Sequence, residues 1–183
     1  MAGAAAASIP SVAALDVVDG ASFRSAIALL FEGAAAFAHR LEEGRPYGTP
    51  ETLFRTAERI ALELDDHEAV ELLDAHPRLG APPGSVSALS FVEQGYEREA
   101  ADKAAEDERR RVDAELARLN DAYEQTFGFR YCVFVGGRSR AALLPDFRNA
   151  LAASREDEMR RGLIDVVRIG RDRYLKLRAG EPG

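Results

Sequence analysis

The chain is short of the residues that hold metals and close disulfides. Among 183 residues there is one cysteine, Cys132, and there are three histidines, His39, His67 and His76. A single thiol excludes an internal disulfide and a cysteine-rich metal site, and it fits a reducing, cytoplasmic compartment. Between the apolar neighbours Tyr131 and Val133, Cys132 reads as a buried, inert thiol, since burial without a positive neighbour keeps sulfur protonated. No two histidines stand at ligand spacing and no carboxylate cluster accompanies His76, so no metal site is expected. Positive charge is also scarce. Lys and Arg total 24 against 31 Asp and Glu, a net charge of −7. That argues against a nucleic-acid partner, which needs a basic face, but leaves room for a local basic pocket that takes a small anion. No apolar run is long enough to span a bilayer, so no membrane partner is expected. The first twenty residues lack the basic start of a signal peptide, and the end RAGEPG carries no peroxisomal signal. Gly136-Gly137-Arg138-Ser139 is too short for a phosphate loop, and no G-x-S-x-G elbow occurs.

What is present is the pattern of a helical domain. Hydrophobic residues make up 46% of the chain and charged residues 30%, proportions of a globular domain with a real core. Residues 1–20 read as a flexible leader, 21–178 as one domain and 179–183 as a tail. Ser22 is placed to cap a first helix, in which Phe23, Ile27, Leu30 and Phe31 recur at helical spacing. Ala34, Phe37 and Leu41 continue the stripe beyond a break at Gly33. Thr49-Pro50-Glu51 is a helix start, with a hydroxyl cap, proline at the first position and an acid in the first turn. Asp65 and Asp66 break that helix and cap the next, which carries Val70 and Leu73. Pro77 disfavours helical geometry at His76, so this helix stops there and presents the imidazole at its end.

After the elbow Pro82-Pro83-Gly84, one long helix is expected from Ser90 to Tyr123. Its inner face is Val112, Leu116, Leu119 and Tyr123, and the mixed charges from Glu97 to Arg111 form a solvated surface. Phe127 to Val135 is aromatic and β-branched, which predicts extended backbone closed by Gly136-Gly137. Leu143, Leu144, Phe147 and Leu151 mark a further helix. Ser154 caps a last one, running through Leu163, Val166, Val167 and Ile169 to Leu177. The expected fold is therefore all-α: a single-domain bundle of about seven or eight helices with one short extended segment.

Two places can carry chemistry. His39 and His67 lie inside helices beside charged neighbours and read as solvent-facing or capping residues. His76, at a helix end, suits proton transfer near neutral pH, although a structural imidazole is an equal reading from position alone. Ser90-x-x-Glu93 matches a capping box, in which serine and glutamate only close a helix N-terminus. Gln94 adds a polar side chain that a capping box does not need. Both readings are compatible, because a helix N-terminus also attracts an anionic ligand.

In order and spacing, His76-Pro77, Ser90-Phe91-Val92-Glu93-Gln94, Phe127-Gly128-Phe129 and Gly137-Arg138-Ser139 resemble the OHCU decarboxylases. These are the 2-oxo-4-hydroxy-4-carboxy-5-ureidoimidazoline decarboxylases of urate degradation. The resemblance runs from about Phe23 to Leu177. It implies an all-helical, cofactor-free homodimer that removes CO2 from its ureide substrate and yields (S)-allantoin. His76 falls on the family's catalytic histidine, Glu93 on its partner carboxylate and Arg173 on a late arginine of the pattern K-I-x-x-L-R. Ser90 and Gln94 fall on substrate-holding side chains, with Pro77, Phe91 and Val92 beside them. Tyr131, Cys132, Val133, Phe134 and Val135 fall on the stretch whose backbone meets the substrate ring.

The chain departs from the family pattern in three ways. Its loop between His76 and Glu93 is short. Arg168 stands for lysine, and Asp172 stands for leucine, where it can pair with a neighbouring arginine or weaken anion binding. Two other readings remain beside the resemblance: a paralogue acting on another cyclic ureide, and a non-catalytic helical interaction module in which Ser90 and Glu93 only cap a helix.

Overall fold

Helices form where apolar residues recur at three- and four-residue spacing, and most of them start at the cap residues that the sequence offers. The computed structural model describes residues 8–96 and 106–179. Among these residues there are nine α-helices and no strand. They are α1 (Val12–Leu15), α2 (Gly20–Leu30), α3 (Ala35–Glu43), α4 (Pro50–Leu62), α5 (Asp66–Ala75), α6 (Ala88–Glu93), α7 (Glu106–Phe127), α8 (Arg140–Ala150) and α9 (Arg155–Ala179). Thr49 caps α4 with Pro50 in its first turn. Asp65 caps α5 through a reciprocal capping box with Glu68. Ser139 accepts from Ala142 N–H at the start of α8, and Ser154 accepts from Asp157 N–H at the start of α9. The chain turns between α2 and α3 at Glu32 and Gly33, both at positive φ.

Several expectations give way. The cap of α2 is Asp19, which accepts from Ser22 N–H, and not Ser22 itself. A carboxylate four residues before Phe23 does the task better than a serine already inside the first turn. Part of the segment expected as a flexible leader packs on the core. Residues 1–7 lie outside the described residues, but Ile9, Val12 and Leu15 are buried in the core. Asp16 ties this segment down by accepting from Tyr47 N–H and Gly48 N–H. At the other end α9 continues to Ala179, and 180–183 lie outside the described residues.

The single helix from Ser90 to Tyr123 does not form. Ser87 caps α6, and Gln94 ends it ahead of Gly95 at φ 76°. Left-handed backbone cannot continue a right-handed helix, and glycine adopts it without the Cβ clash. Part of the expected charged helix surface, residues 97–105, lies outside the described residues.

The long helix α9 organises the packing. It lies against α2, α4 and α5, while α3 bridges α2, α4 and α5, and α7 pairs with α8. Tyr123 of α7 gathers Phe127, Phe129, Tyr131 and Phe147 around its ring in edge-to-face contacts. Its hydroxyl donates to Glu158 at 2.8 Å. Close approach of α9 to the α2–α3 turn depends on Gly170, where a Cβ would stand 2.5 Å from a ring carbon of Phe31. Phe31 is 1% exposed and packs edge-on against Phe37, so its ring cannot swing away freely. Gly170→Ala therefore destabilises the fold by about 1–3 kcal/mol through overpacking. Urea unfolding measures it, and an unchanged midpoint would show that the ring relaxes without strain.

Candidate active site

The imidazole of His76 stands where Pro77 stops α5. His76 is the C-cap residue, with extended backbone (φ −79°, ψ 141°), and its side chain is 3% exposed. Nδ1 lies 3.1 Å from the Leu72 carbonyl. A carbonyl only accepts, so the proton sits on Nδ1 and the Nε2 lone pair is left free. Nε2 is buried without a hydrogen-bond partner, and His76 forms part of the wall of a cavity of about 100 Å3. Burial, reinforced by the positive Arg173, pushes the imidazole pKa down to about 4, against weaker opposing pulls from the Leu72 carbonyl and Glu32. His76 is thus a neutral base at ordinary pH.

Near it converge residues brought from three distant parts of the chain. Arg173, on α9 and 1% exposed, donates from Nε and Nη2 to the two oxygens of Glu93 at 2.7 and 2.8 Å. Nη2 also reaches Ser90 Oγ at 3.0 Å and Glu32 Oε1 at 2.8 Å. Nη1 faces the Leu30 carbonyl at 3.4 Å. Ser90 Oγ in turn donates to Glu32 Oε1 at 2.7 Å, and Ser87 Oγ does so at 2.8 Å. Burial would raise the Glu32 carboxyl; the Arg173 charge and the two serine donors outweigh it and hold the group below its usual value. The guanidinium is likewise opposed by burial but kept charged by Glu93 and Glu32.

Two assignments change here. Ser90 does not cap α6, because Ser87 accepts from Ser90 N–H at 3.2 Å, which frees the Ser90 hydroxyl for the Arg173 cluster. Asp172 pairs with Lys176 rather than with an arginine.

Helical geometry decides which residues of Ser90–Gln94 meet the cavity. Ser90, Glu93 and Gln94, at i, i+3 and i+4, share one face and line it. Phe91 and Val92 fall on other faces and stand apart from it. Phe91 stacks on Tyr96, and Val92 is half exposed. Gln94 uses its amide to hold the loop after His76: Oε1 accepts from Gly80 N–H at 2.7 Å, and Nε2 donates to the Arg78 carbonyl. That bond explains how a short loop keeps α5 and α6 in register.

The extended segment Tyr131 to Val135 also lines the cavity, with Pro77 and Leu79. Arginines take its carbonyls: Arg161 bonds Cys132 O at 2.9 Å, while Arg138 bonds Phe134 O and Val135 O. Among the described residues, no hydrogen bond engages the N–H groups of Cys132, Val133, Phe134 or Val135. A segment with free donors beside a cavity suits a ligand rich in carbonyl oxygens. Arg130 fixes this wall to the end of α5 through the Asp74 and His76 carbonyls. Burial pushes the Cys132 thiol up to about 12, which makes it an inert part of the wall. His39 and His67 are on the surface, away from the site.

Sequence reasoning missed Glu32, which meets Arg173, and the lining residues Lys176 and Ile169. The one local signal for Glu32 was an acid before glycine at a predicted break, and no periodic pattern marks such a position.

Comparison with known proteins places this arrangement. The chain is 24% identical over 168 residues to a uric acid degradation bifunctional protein of Bacillus sp. (strain TB-90), covering 91% of this chain and 32% of that protein. It is 27% identical over 163 residues to the uric acid degradation bifunctional protein PucL of Bacillus subtilis, covering 89% and 32%. It thus spans about a third of the length of these two relatives. A 2-oxo-4-hydroxy-4-carboxy-5-ureidoimidazoline decarboxylase of Haloferax volcanii is 25% identical over 152 residues, 83% of this chain and 86% of its own. The fold matches a crystal structure of OHCU decarboxylase in the presence of (S)-allantoin, with a TM-score of 0.59 at 22% identity, covering 80% of this chain and 93% of that one. It also matches a crystal structure of (S)-allantoin synthase, with a TM-score of 0.63 at 22% identity, covering 91% and 53%. The sequence profile of the OHCU decarboxylases matches residues 17–175, and the chain belongs to that family.

Proposed function

We propose that this protein decarboxylates 2-oxo-4-hydroxy-4-carboxy-5-ureidoimidazoline to (S)-allantoin in urate degradation, without a cofactor. The observation that carries this reading is a neutral His76 with a partnerless Nε2 that lines the same cavity as the Arg173–Glu93 pair. Loss of CO2 leaves an electron pair that the substrate's own conjugated ring takes up. The protein's tasks are then to orient the substrate, place charge and move one proton. His76 Nε2 accepts the 4-hydroxyl proton as the C–C bond to the carboxylate breaks and returns it to the ureido-bearing ring carbon from one face, while the ring nitrogen that took up the electron pair gains a proton from solvent, so the product is neutral and a single enantiomer. Arg173 sets the position of Glu93, whose carboxylate accepts from the ureido or ring N–H groups. Ser90 and Gln94 shape the same wall, and the free backbone donors from Cys132 to Val135 meet the ring carbonyls. Pro77 and Tyr131 support these walls.

The same reading includes a homodimer in the cytoplasm, consistent with a single, buried cysteine. No helix of the described residues is long and apolar enough to cross a membrane. The convergence of His76, Glu93 and Arg173 on one cavity disfavours a non-catalytic interaction module.

The test follows freshly generated substrate by circular dichroism. Purified protein accelerates the appearance of (S)-allantoin; racemic product at the spontaneous rate would reject the proposal.

A further inference from the structure

The forked edge of Arg173 is already occupied. Nε and Nη2 bind Glu93, Nη2 is shared with Ser90 and Glu32, and Nη1 faces the Leu30 carbonyl. A substrate carboxylate entering the inner end of the cavity meets two acids against one guanidinium, which is an unfavourable balance for an anion. Among the described residues that line the cavity, the second cation is Lys176, near Arg173 on α9. Its Nζ lies 2.5 Å from Asp172 Oδ2. The two side chains are 57% and 33% exposed against 1% for Arg173, so this pair sits at the cavity mouth while the arginine closes the floor.

We propose that Lys176 receives the carboxylate of the substrate at the cavity mouth, and that Asp172 competes with the substrate for that ammonium group. The proposal rests on the decarboxylase reading and adds to it the residue that sets preference for a carboxylated over an uncharged ureide. An ammonium has three donors, of which Asp172 engages one, so two remain for carboxylate oxygens. A carboxylate held at the mouth leaves the ring pointing inward, toward His76 Nε2 and the backbone donors of the extended wall. The bond to Lys176 also weakens as the reaction proceeds, because the carboxylate leaves as neutral CO2 and its charge moves into the ring. An interaction stronger in the bound substrate than in the transition state raises affinity without raising turnover. Lys176 therefore acts on KM, which a merely structural role would not separate from kcat.

Steady-state kinetics on the full chain test this with two variants of opposite expected sign. Lys176→Met raises KM about three- to tenfold, with kcat equal to or above that of the wild type. Asp172→Asn releases the lysine from its competitor and lowers KM by about two- to threefold. (S)-Allantoin, uncharged at neutral pH, is the control, and its inhibition constant stays the same in Lys176→Met. An active wild type whose KM is untouched by Lys176→Met overturns the assignment alone. So does a variant that loses kcat and allantoin affinity together. A wild type that leaves the substrate decaying at its spontaneous rate overturns the decarboxylase reading, and this assignment with it.

Discussion

Replacing His76 removes the base and slows decarboxylation by about 10²–10⁴-fold, while the variant with asparagine keeps the fold. The two ring nitrogens do separate work. Nδ1 donates to the Leu72 carbonyl and holds the end of α5, whereas Nε2 is buried with no partner in a residue that lines the cavity. His76→Ala loses both and leaves a buried carbonyl without its donor, at about 1–3 kcal/mol. His76→Asn places an amide N–H near the former Nδ1 and keeps that bond but supplies no base. Equal rate losses in both variants, with stability lost only in alanine, assign the rate to Nε2. An asparagine variant with wild-type turnover would remove His76 from the chemistry.

The same residue gives the protein an acid-sensitive stability. Its folded pKa, about 4, lies below its ordinary value of 6.5, so the unfolded chain binds the proton first as pH falls. Stability is complete above about pH 6.5 and declines toward pH 4, by up to about 3 kcal/mol from this group at about 1.4 kcal/mol per tenfold difference in proton affinity. Urea midpoints measured across that window fall more steeply for the wild type than for His76→Asn. Parallel curves would mean that the imidazole is not held neutral.

Arg173→Met is the more damaging substitution for the fold. It leaves Glu93 and Glu32 close together inside the protein with only serine hydroxyls for company. Breaking a buried ion pair by removing one partner costs about 3–5 kcal/mol, because the remaining charge is uncompensated. For a chain of this length that lowers the thermal midpoint by roughly 10 °C. Arg173→Lys separates charge from geometry. The ammonium restores part of the electrostatic balance but cannot bond Glu93 from two parallel N–H groups while reaching Ser90. Its stability therefore lies between that of the wild type and the methionine variant, while its decarboxylation rate stays low. A lysine variant with full activity would show that charge alone suffices and that the fork does not position Glu93. Differential scanning calorimetry and the circular dichroism assay read the two effects independently.

The chain's own pattern determined the all-α class, the end of α5 at His76 and the starts of α4, α5 and α9. Each depends on residues within a turn of one another: Pro77 on His76, Thr49 on Pro50, Asp65 on Glu68, Ser154 on Asp157. Such short-range sterics and caps act wherever the segment sits. The same locality misled the reading of Ser90-x-x-Glu93, which has the form of a cap but lies one turn inside a helix that Ser87 had already started. The break at Gly95 was hidden among good helix formers, since a glycine's left-handed φ is revealed only by the path the backbone takes. The roles of Ser90, Glu93 and Arg173 came from family resemblance rather than from local pattern, and Glu32 left no usable signal. Tertiary structure decided that the α2–α3 turn and α6 bring their side chains to the guanidinium of α9, that Leu72 fixes the tautomer of His76, and that Asp172 faces Lys176. Those outcomes depend on charges and hydrogen bonds between segments far apart in the chain, and only packing of the helices makes them neighbours.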